Sequence, residues 1–232
     1  MDETSVWFPF DTLSIRELRA HAVKTYRVGR GSRPEVSLIK VGNAQAVLKD
    51  FSRSAFWFRR IFGPLLTWRE ARALRQLSGV HGVPRLIRQV NSRALLIEHV
   101  EGISTKAIPH GGVQPELFDR LSRLVHEVHE HGVAHCDLRT RGNIIIGNDG
   151  QPYLVDFAAH IGCGRRWNLL WRWMFTQFCK ADLVSVVRLK ERQAPNLLTG
   201  KEQRQLELDR TRPVARIARG IRNITQRVLQ RE

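Results

Sequence analysis

Two aspartates, an asparagine and two arginines lie in the stretches HCDLRTRGNIII (His135–Ile146) and LVDF (Leu154–Phe157). Asp137 follows His135 by two residues, in a short segment ahead of an apolar run. A carboxylate so placed can orient an attacking hydroxyl and accept its proton. Asn143 comes six residues later, and Asp156 thirteen after that, across a predicted hairpin. The two ends of a hairpin lie close in space, so an amide oxygen and a carboxylate can share Mg2+. That ion favours hard oxygen donors and takes only one or two carboxylates, leaving its other positions to phosphate and water. Arg139 and Arg141 are suited to stabilising charge on a transferred group. The chemistry this set can do is phosphoryl transfer.

Such chemistry also needs a backbone-lined cover for the phosphates and a fixed cation. GRGSRPEV (Gly29–Val36) lies between two predicted strands and supplies Gly29 and Gly31, with Pro34 where a third glycine would fall. Taken alone it is equally an ordinary hairpin turn. Lys49 sits among apolar neighbours in AVLKD, and Glu70 follows 21 residues later on a predicted helix. A strand lysine held by a helix carboxylate is one way to fix a phosphate-binding cation.

The elements that must position these groups are legible from periodicity and punctuation. A short helix is expected within residues 11–22, capped by Asp11 or Thr12. Three strands follow, KTYRV, VSLIKV and QAVLKDF, with GNA as a turn. PLLTWREARALRQLSG predicts a helix with Pro64 in its first turn and Gly79 past its end. VPRLIRQV and RALLIEHV predict two further strands, and EGIS a linker. PELFDRLSRLVHEVHEHG predicts a helix whose Leu117, Leu121, Leu124 and Val128 form one buried stripe. After Asp156 the chain is expected to be mainly helical, with DLVSVVRLK as a buried helix and Asp182 accepting hydrogen bonds from the backbone near Asp137. The expected architecture is α+β, with a strand-rich lobe at residues 1–98 and a helical lobe at 99–232.

At 232 residues the chain is long enough for a sizeable core. Its three cysteines (Cys136, Cys163, Cys179) form no Cys-x-x-Cys motif, which favours a reducing compartment over a disulfide scaffold. The first residues lack the basic-then-apolar order of a secretory signal, and no run of about 18 apolar residues exists to span a bilayer. A cytoplasmic location is expected. The net charge of +16 implies an anionic partner: nucleic acid, a lipid surface or a phosphorylated substrate.

In order, the glycine loop, Lys49, Glu70, IEHVEG, HCDLRTRGN and VDF resemble the protein-kinase-like fold over roughly residues 25–160. Within it the chain looks most like the small bacterial lipopolysaccharide core kinases that phosphorylate heptose or 3-deoxy-octulosonate sugars, with RIO-type kinases close in pattern. The resemblance implies a catalytic base at Asp137 and metal binding at Asn143 and Asp156. It places the nucleotide at Gly29, Gly31, Val36 and Lys49, with Glu70 bracing the lysine. Glu98 and Val100 would offer backbone groups to adenine, and ATP and Mg2+ are the cofactors implied. The chain departs from the pattern in four places. Cys136 replaces a common arginine, the Asp137–Asn143 spacing is one residue longer, DFA replaces DFG, and no APE motif follows. This last difference favours a non-protein acceptor.

The expected reading is therefore an ATP- and Mg2+-dependent kinase of a lipopolysaccharide core sugar or other anionic glycolipid, peripheral on the inner face of the membrane. Its rivals are a RIO-like protein serine/threonine kinase and a nucleotide-binding pseudokinase that serves as an interaction module. His126, His129 and His131 are not expected to hold zinc. FWFRRIF (Phe56–Phe62) and RRWNLLWRWMF (Arg165–Phe175) are read first as packing helices with snorkelling arginines, and second as membrane-facing surfaces. Val214, Ile217, Ile221, Ile224 and Val228, with eight arginines between Arg204 and Arg231, predict a basic amphipathic helix. It is expected to pack or to lie on anionic lipid; nucleic acid is the less favoured partner, for want of a base-reading motif.

Overall fold

The computed structural model describes residues 8–164 and 167–211. The basic C-terminal segment predicted from Val214 onward lies outside the described residues. The chain forms two compact units: residues up to Gly79 together with Val83–Val100, and Val80–Gly82 together with Glu101 onward.

In the first unit, α1 (Ile15–Ala20) starts later than expected and is capped by Ser14 rather than Asp11 or Thr12. Ser14 Oγ accepts from the Glu17 N–H, and the Glu17 carboxylate accepts from the Ser14 N–H at 2.7 Å. This reciprocal box satisfies two amide groups that the helix itself cannot. Five antiparallel strands follow: β1 (Ala22–Arg27), β2 (Glu35–Val41), β3 (Ala44–Asp50), β4 (Leu86–Asn91) and β5 (Ala94–Glu98). They are ordered β1-β2-β3-β5-β4. One face buries Ile39, Ala46, Leu48, Ala94 and Leu96 against Phe10 and Leu18. Arg19 of α1 bonds the buried carboxylate of Asp50 at the end of β3 through Nε at 2.9 Å.

Between β3 and β4 runs α2 (Phe56–Gln76). The helix expected to begin at Pro64 starts eight residues earlier, because the stretch read as a separate packing helix at Phe56–Phe62 runs straight into it. A Cβ at Gly63 would lie 3.2 Å from the Phe51 Cβ, so the turn packs closely on Phe51. One face of α2 buries Thr67, Glu70, Ala71, Ala73 and Leu74. The other exposes Trp57 (74%), Ile61, Leu65 and Trp68. The packing role expected for Phe56–Phe62 is thus overturned for Trp57 and Ile61.

In the second unit, β6 (Gly102–Ser104) pairs with β8 (Ile144–Gly147), which pairs in turn with β9 (Pro152–Leu154). The segment expected to be a linker is this extra strand. It fits because Gly102 has no side chain: a Cβ there would meet the Ile146 carbonyl oxygen at 2.1 Å. Val80–Gly82 joins the unit through the Gly82 carbonyl, which accepts the Leu154 N–H at 2.8 Å.

The α3 helix (Glu116–Glu130) buries the predicted stripe of Leu117, Leu121, Leu124 and Val128, with Phe118 and Val125 beside it. It packs on α4 (Leu169–Gln193), a longer helix that contains the predicted DLVSVVRLK segment and buries Val184, Val186 and Leu189. The two-residue strands β7 (Val133–Ala134) and β10 (Ile161–Gly162) pair beside them, and α5 (Gly200–Thr211) packs on α4. The start of α4 leaves Trp167 (74% exposed), Leu169 (75%), Leu170 and Trp173 in solvent, again against the packing expectation.

Replacing Gly102 by alanine is expected to cost about 1–3 kcal/mol, because the added methyl must push β6 off β8. Urea denaturation of Gly102→Ala beside the native chain measures this; an unchanged midpoint contradicts the strand pairing.

Candidate active site

One group of the predicted site residues lies in the first unit. Lys49 on β3 and Glu70 on α2 are 6% and 1% exposed, and Nζ lies 2.9 and 2.7 Å from the two carboxylate oxygens. Two desolvated charges are costly unless paired, and removing one partner of such a pair typically costs about 3–5 kcal/mol. The pairing therefore fixes the ammonium and couples α2 to the sheet.

The loop from Gly29 is a tight hairpin in which Arg30 and Arg33 exchange backbone hydrogen bonds. Gly31 takes φ +57°, a conformation that suits glycine. Its carbonyl accepts the Ala55 N–H at 2.7 Å, and the Arg33 carbonyl accepts Ser54 Oγ at 3.0 Å. The loop is thereby fastened to the β3–α2 connection. Val36 lies opposite Lys49 in the β2–β3 register. The Glu98 N–H donates to the Arg85 carbonyl at 2.9 Å, and the Glu98 carboxylate accepts the Arg85 N–H at 2.9 Å. Of the backbone groups expected to meet a base, the Glu98 donor is already engaged.

Another group lies in the second unit and is organised by Asp182 of α4. One carboxylate oxygen accepts the His135 N–H at 2.7 Å and the other the Cys136 N–H at 2.9 Å. His129 Nε2 also lies 3.1 Å from this carboxylate. The predicted structural role of Asp182 is what the geometry shows. The sequence carries no signal of this His129 contact. Cys136 takes φ +67° and Asp156 φ +68°, the two non-glycine residues with positive φ among the described residues. Such strain persists only where the surroundings impose it, and at Cys136 the two bonds to Asp182 do so.

Asp137 is held at both carboxylate oxygens. Thr140 Oγ1 donates to Oδ1 at 2.8 Å, and Asn143 Nδ2 donates to Oδ2 at 3.0 Å. Asn143 Nδ2 also reaches the Asp137 carbonyl at 3.0 Å. The one-residue excess in the Asp137–Asn143 spacing is absorbed in a short 3-10 turn at Arg141–Asn143. Thr140 was missed at the sequence level, although a hydroxyl three residues after a loop aspartate is a recognisable signal.

The Val155 N–H donates to the Asn143 carbonyl at 3.0 Å, which makes Asn143 and Asp156 neighbours across the β8–β9 hairpin. With its nitrogen spent on Asp137, Asn143 has its amide oxygen to offer a cation. Together with the Asp156 carboxylate this is a hard-oxygen set that fits Mg2+. Among the described residues no group of three or more histidine, cysteine or carboxylate side chains is placed to hold a metal ion.

Arg139, expected to act on the transferred group, instead pairs with Asp209 of α5 at 3.2 Å, and Arg188 binds the same carboxylate. No local signal marks Asp209 as their partner. His135 is fully buried against the Phe157 ring, 4.6 Å between centroids. Its Nδ1 accepts the Asp137 N–H at 3.3 Å, so the proton sits on Nε2 and is donated to the Val155 carbonyl at 3.0 Å. Burial lowers its pKa, outweighing Asp182, the Val155 carbonyl, Asp156 and Asp137, which raise it.

No family model matches the chain. Over 116 residues it is 30% identical to a probable bifunctional tRNA threonylcarbamoyladenosine biosynthesis protein of Methanosarcina barkeri, covering 48% of this chain and 20% of that protein. Over 73 residues it is 29% identical to the protein of that description from Methanospirillum hungatei, covering 32% and 13%. The chain thus spans a fifth or less of the length of these relatives. Among solved structures it resembles the Rio2 kinase of Chaetomium thermophilum, with TM-score 0.60, 15% identity and 81% of this chain matched to 63% of that one. The ADP/Mg2+-phosphoaspartate complex of that kinase gives TM-score 0.58 and 16% identity over 81% and 64%.

Stability is expected to be full above the ordinary histidine range and to fall as pH drops below it. There the unfolded chain takes up the proton that buried His135 refuses. Thermal unfolding from pH 8 to pH 5, with His135→Gln as comparison, tests this; an equal acid loss in both proteins overturns it. The fold itself is settled: this chain has the protein-kinase-like fold.

Proposed function

We propose that the chain is a RIO-like atypical protein kinase, transferring the γ-phosphoryl group of ATP to a serine or threonine hydroxyl. One observation carries the reading: both oxygens of Asp137 are oriented, by Thr140 and Asn143, in a loop anchored to α4 through Asp182. The likeness to Rio2 kinases supports the RIO-like reading over a lipopolysaccharide sugar kinase, which no comparison supports. A pseudokinase would have no need of an oriented base.

In the proposed reaction the acceptor oxygen forms a bond to the γ-phosphorus while the bond to the ADP oxygen breaks. The hydroxyl proton passes to Asp137, and ADP leaves. Lys49, fixed by Glu70, would hold the nucleotide phosphates. Asn143 and Asp156 would hold Mg2+, which supplies charge neutralisation for the phosphates when bound. Positioning and charge stabilisation account for most of the barrier lowered in such sites.

Labelled γ-phosphate followed from ATP and Mg2+ into a fractionated cell lysate is expected to enter polypeptide. With Asp137→Asn the incorporation should fall about 100- to 10,000-fold while Mg-ATP binding persists. Label in glycolipid would establish the sugar-kinase reading instead; ATP binding without label anywhere would favour the pseudokinase.

We also propose that the protein meets an anionic membrane surface as a peripheral component. Its support is the exposure of Trp57, Ile61, Leu65 and Trp68 along one side of α2, with Arg72 lying 5.6 Å over the Trp68 ring. Exposed Trp167, Leu169, Leu170 and Trp173 around the start of α4 add to it. Tryptophan beside arginine suits the headgroup boundary, where rings enter and guanidiniums face phosphate. No described helix is long and apolar enough to cross a membrane. Co-sedimentation with phosphatidylglycerol vesicles, but not with phosphatidylcholine vesicles, is expected, and Trp57→Ser/Trp68→Ser should weaken it several-fold. Equal behaviour with both lipids, or lipid-free self-association through these residues, overturns the proposal.

A further inference from the structure

A cavity of about 470 Å³ opens beside the catalytic loop within the second unit, where Leu138, Arg139 and Arg141 face Arg188 and Arg192 of α4. Four guanidinium groups line one space, with Glu191 the single carboxylate in its wall. Asp209 of α5 bonds Arg139 and Arg188. Among the described residues that line the cavity or pair with its arginines here, four guanidinium groups stand against the two carboxylates Glu191 and Asp209. The Nε of Arg188 is also buried with no hydrogen-bond partner. A buried donor without an acceptor costs free energy.

From this the geometry points to an anion-binding site for a phosphate ester carried by the acceptor, seated next to the hydroxyl that Asp137 orients. Guanidinium forks bind phosphate in paired, charge-assisted hydrogen bonds. Arg139 and Arg141 come from the loop that carries Asp137, two and four residues after it. A phosphate held on their side chains would fix the acceptor relative to the base. Asp209 stands in as the internal counter-ion: it orders Arg139 and Arg188 in the absence of acceptor and competes with the incoming phosphate. The chemistry is that of a phosphate monoester, whether on a sugar or a side chain. This inference rests on the phosphotransferase reading for the word acceptor, but the site itself can be measured without turnover.

The test titrates inorganic phosphate, glucose 6-phosphate and O-phosphoserine into the full chain saturated with Mg-ADP, followed by calorimetry. Binding of inorganic phosphate and at least one ester is expected. It should weaken about tenfold in Arg188→Gln and in the exposed-site variant Arg192→Gln, and strengthen several-fold in Asp209→Asn. Which ester binds more tightly separates a sugar source from a side-chain source. Doubling the Mg-ADP concentration is the control for the nucleotide phosphate site and should leave the titration unchanged. Absence of phosphate binding, or binding that excess Mg-ADP displaces while Arg192→Gln leaves it intact, overturns the site. Failure of phosphotransfer from ATP with the titration intact would sink the kinase reading and leave the anion site standing.

Discussion

One carboxylate organises the second unit around Asp137. Asp182 reaches from the middle of α4 to the backbone amides of His135 and Cys136, 47 and 46 residues away, and touches His129 of α3 as well. Charge-assisted bonds to buried amides are among the stronger hydrogen bonds in proteins. Here they hold Cys136 in a left-handed conformation that it would not adopt alone. With that residue fixed, the chain emerges so that Asp137 meets Thr140 and Asn143. His135 turns inward, where its ring braces both Phe157 and the Val155 carbonyl. The base and the Asp156 hairpin are thus tied to one framework.

The other unit solves a similar problem with an ion pair. Lys49 needs a fixed place on the sheet, yet a lone buried ammonium would sooner lose its proton or leave. Glu70 makes burial tolerable, and the two parallel contacts leave the lysine little freedom. The glycine hairpin is anchored by Ala55 and Ser54, so it is held by the chain that leads into the helix bearing Glu70. Loop, lysine and helix form one mechanical set.

Arginine is used in two ways. Around the start of α2 it stacks on exposed aromatic rings, with Arg59 and Arg60 over Phe56 and Arg72 over Trp68. Beside the Asp137 loop four arginines, Arg139, Arg141, Arg188 and Arg192, line one cavity. The described part of the basic excess is therefore not spread evenly over the surface.

The sequence by itself determined the strand and helix order, the α3 stripe, the Lys49–Glu70 pair and the Asp137–Asn143–Asp156 series. These depend on periodicity and on residue types whose spacing is local or repeats along one element. It also placed Asp182 under the catalytic loop. It divided α2 into two helices, because Pro64 looked like a beginning. It read Gly102–Ser104 as a linker, since a three-residue strand has no period to detect. Only the tertiary structure decided that Arg139 turns to Asp209 and that Thr140 and His129 support the site. It alone decided that the aromatic faces of α2 and α4 stay in solvent. Each of these depends on which distant side chain arrives alongside, and long-range packing, unlike helical or strand period, leaves no mark in the order of neighbouring residues.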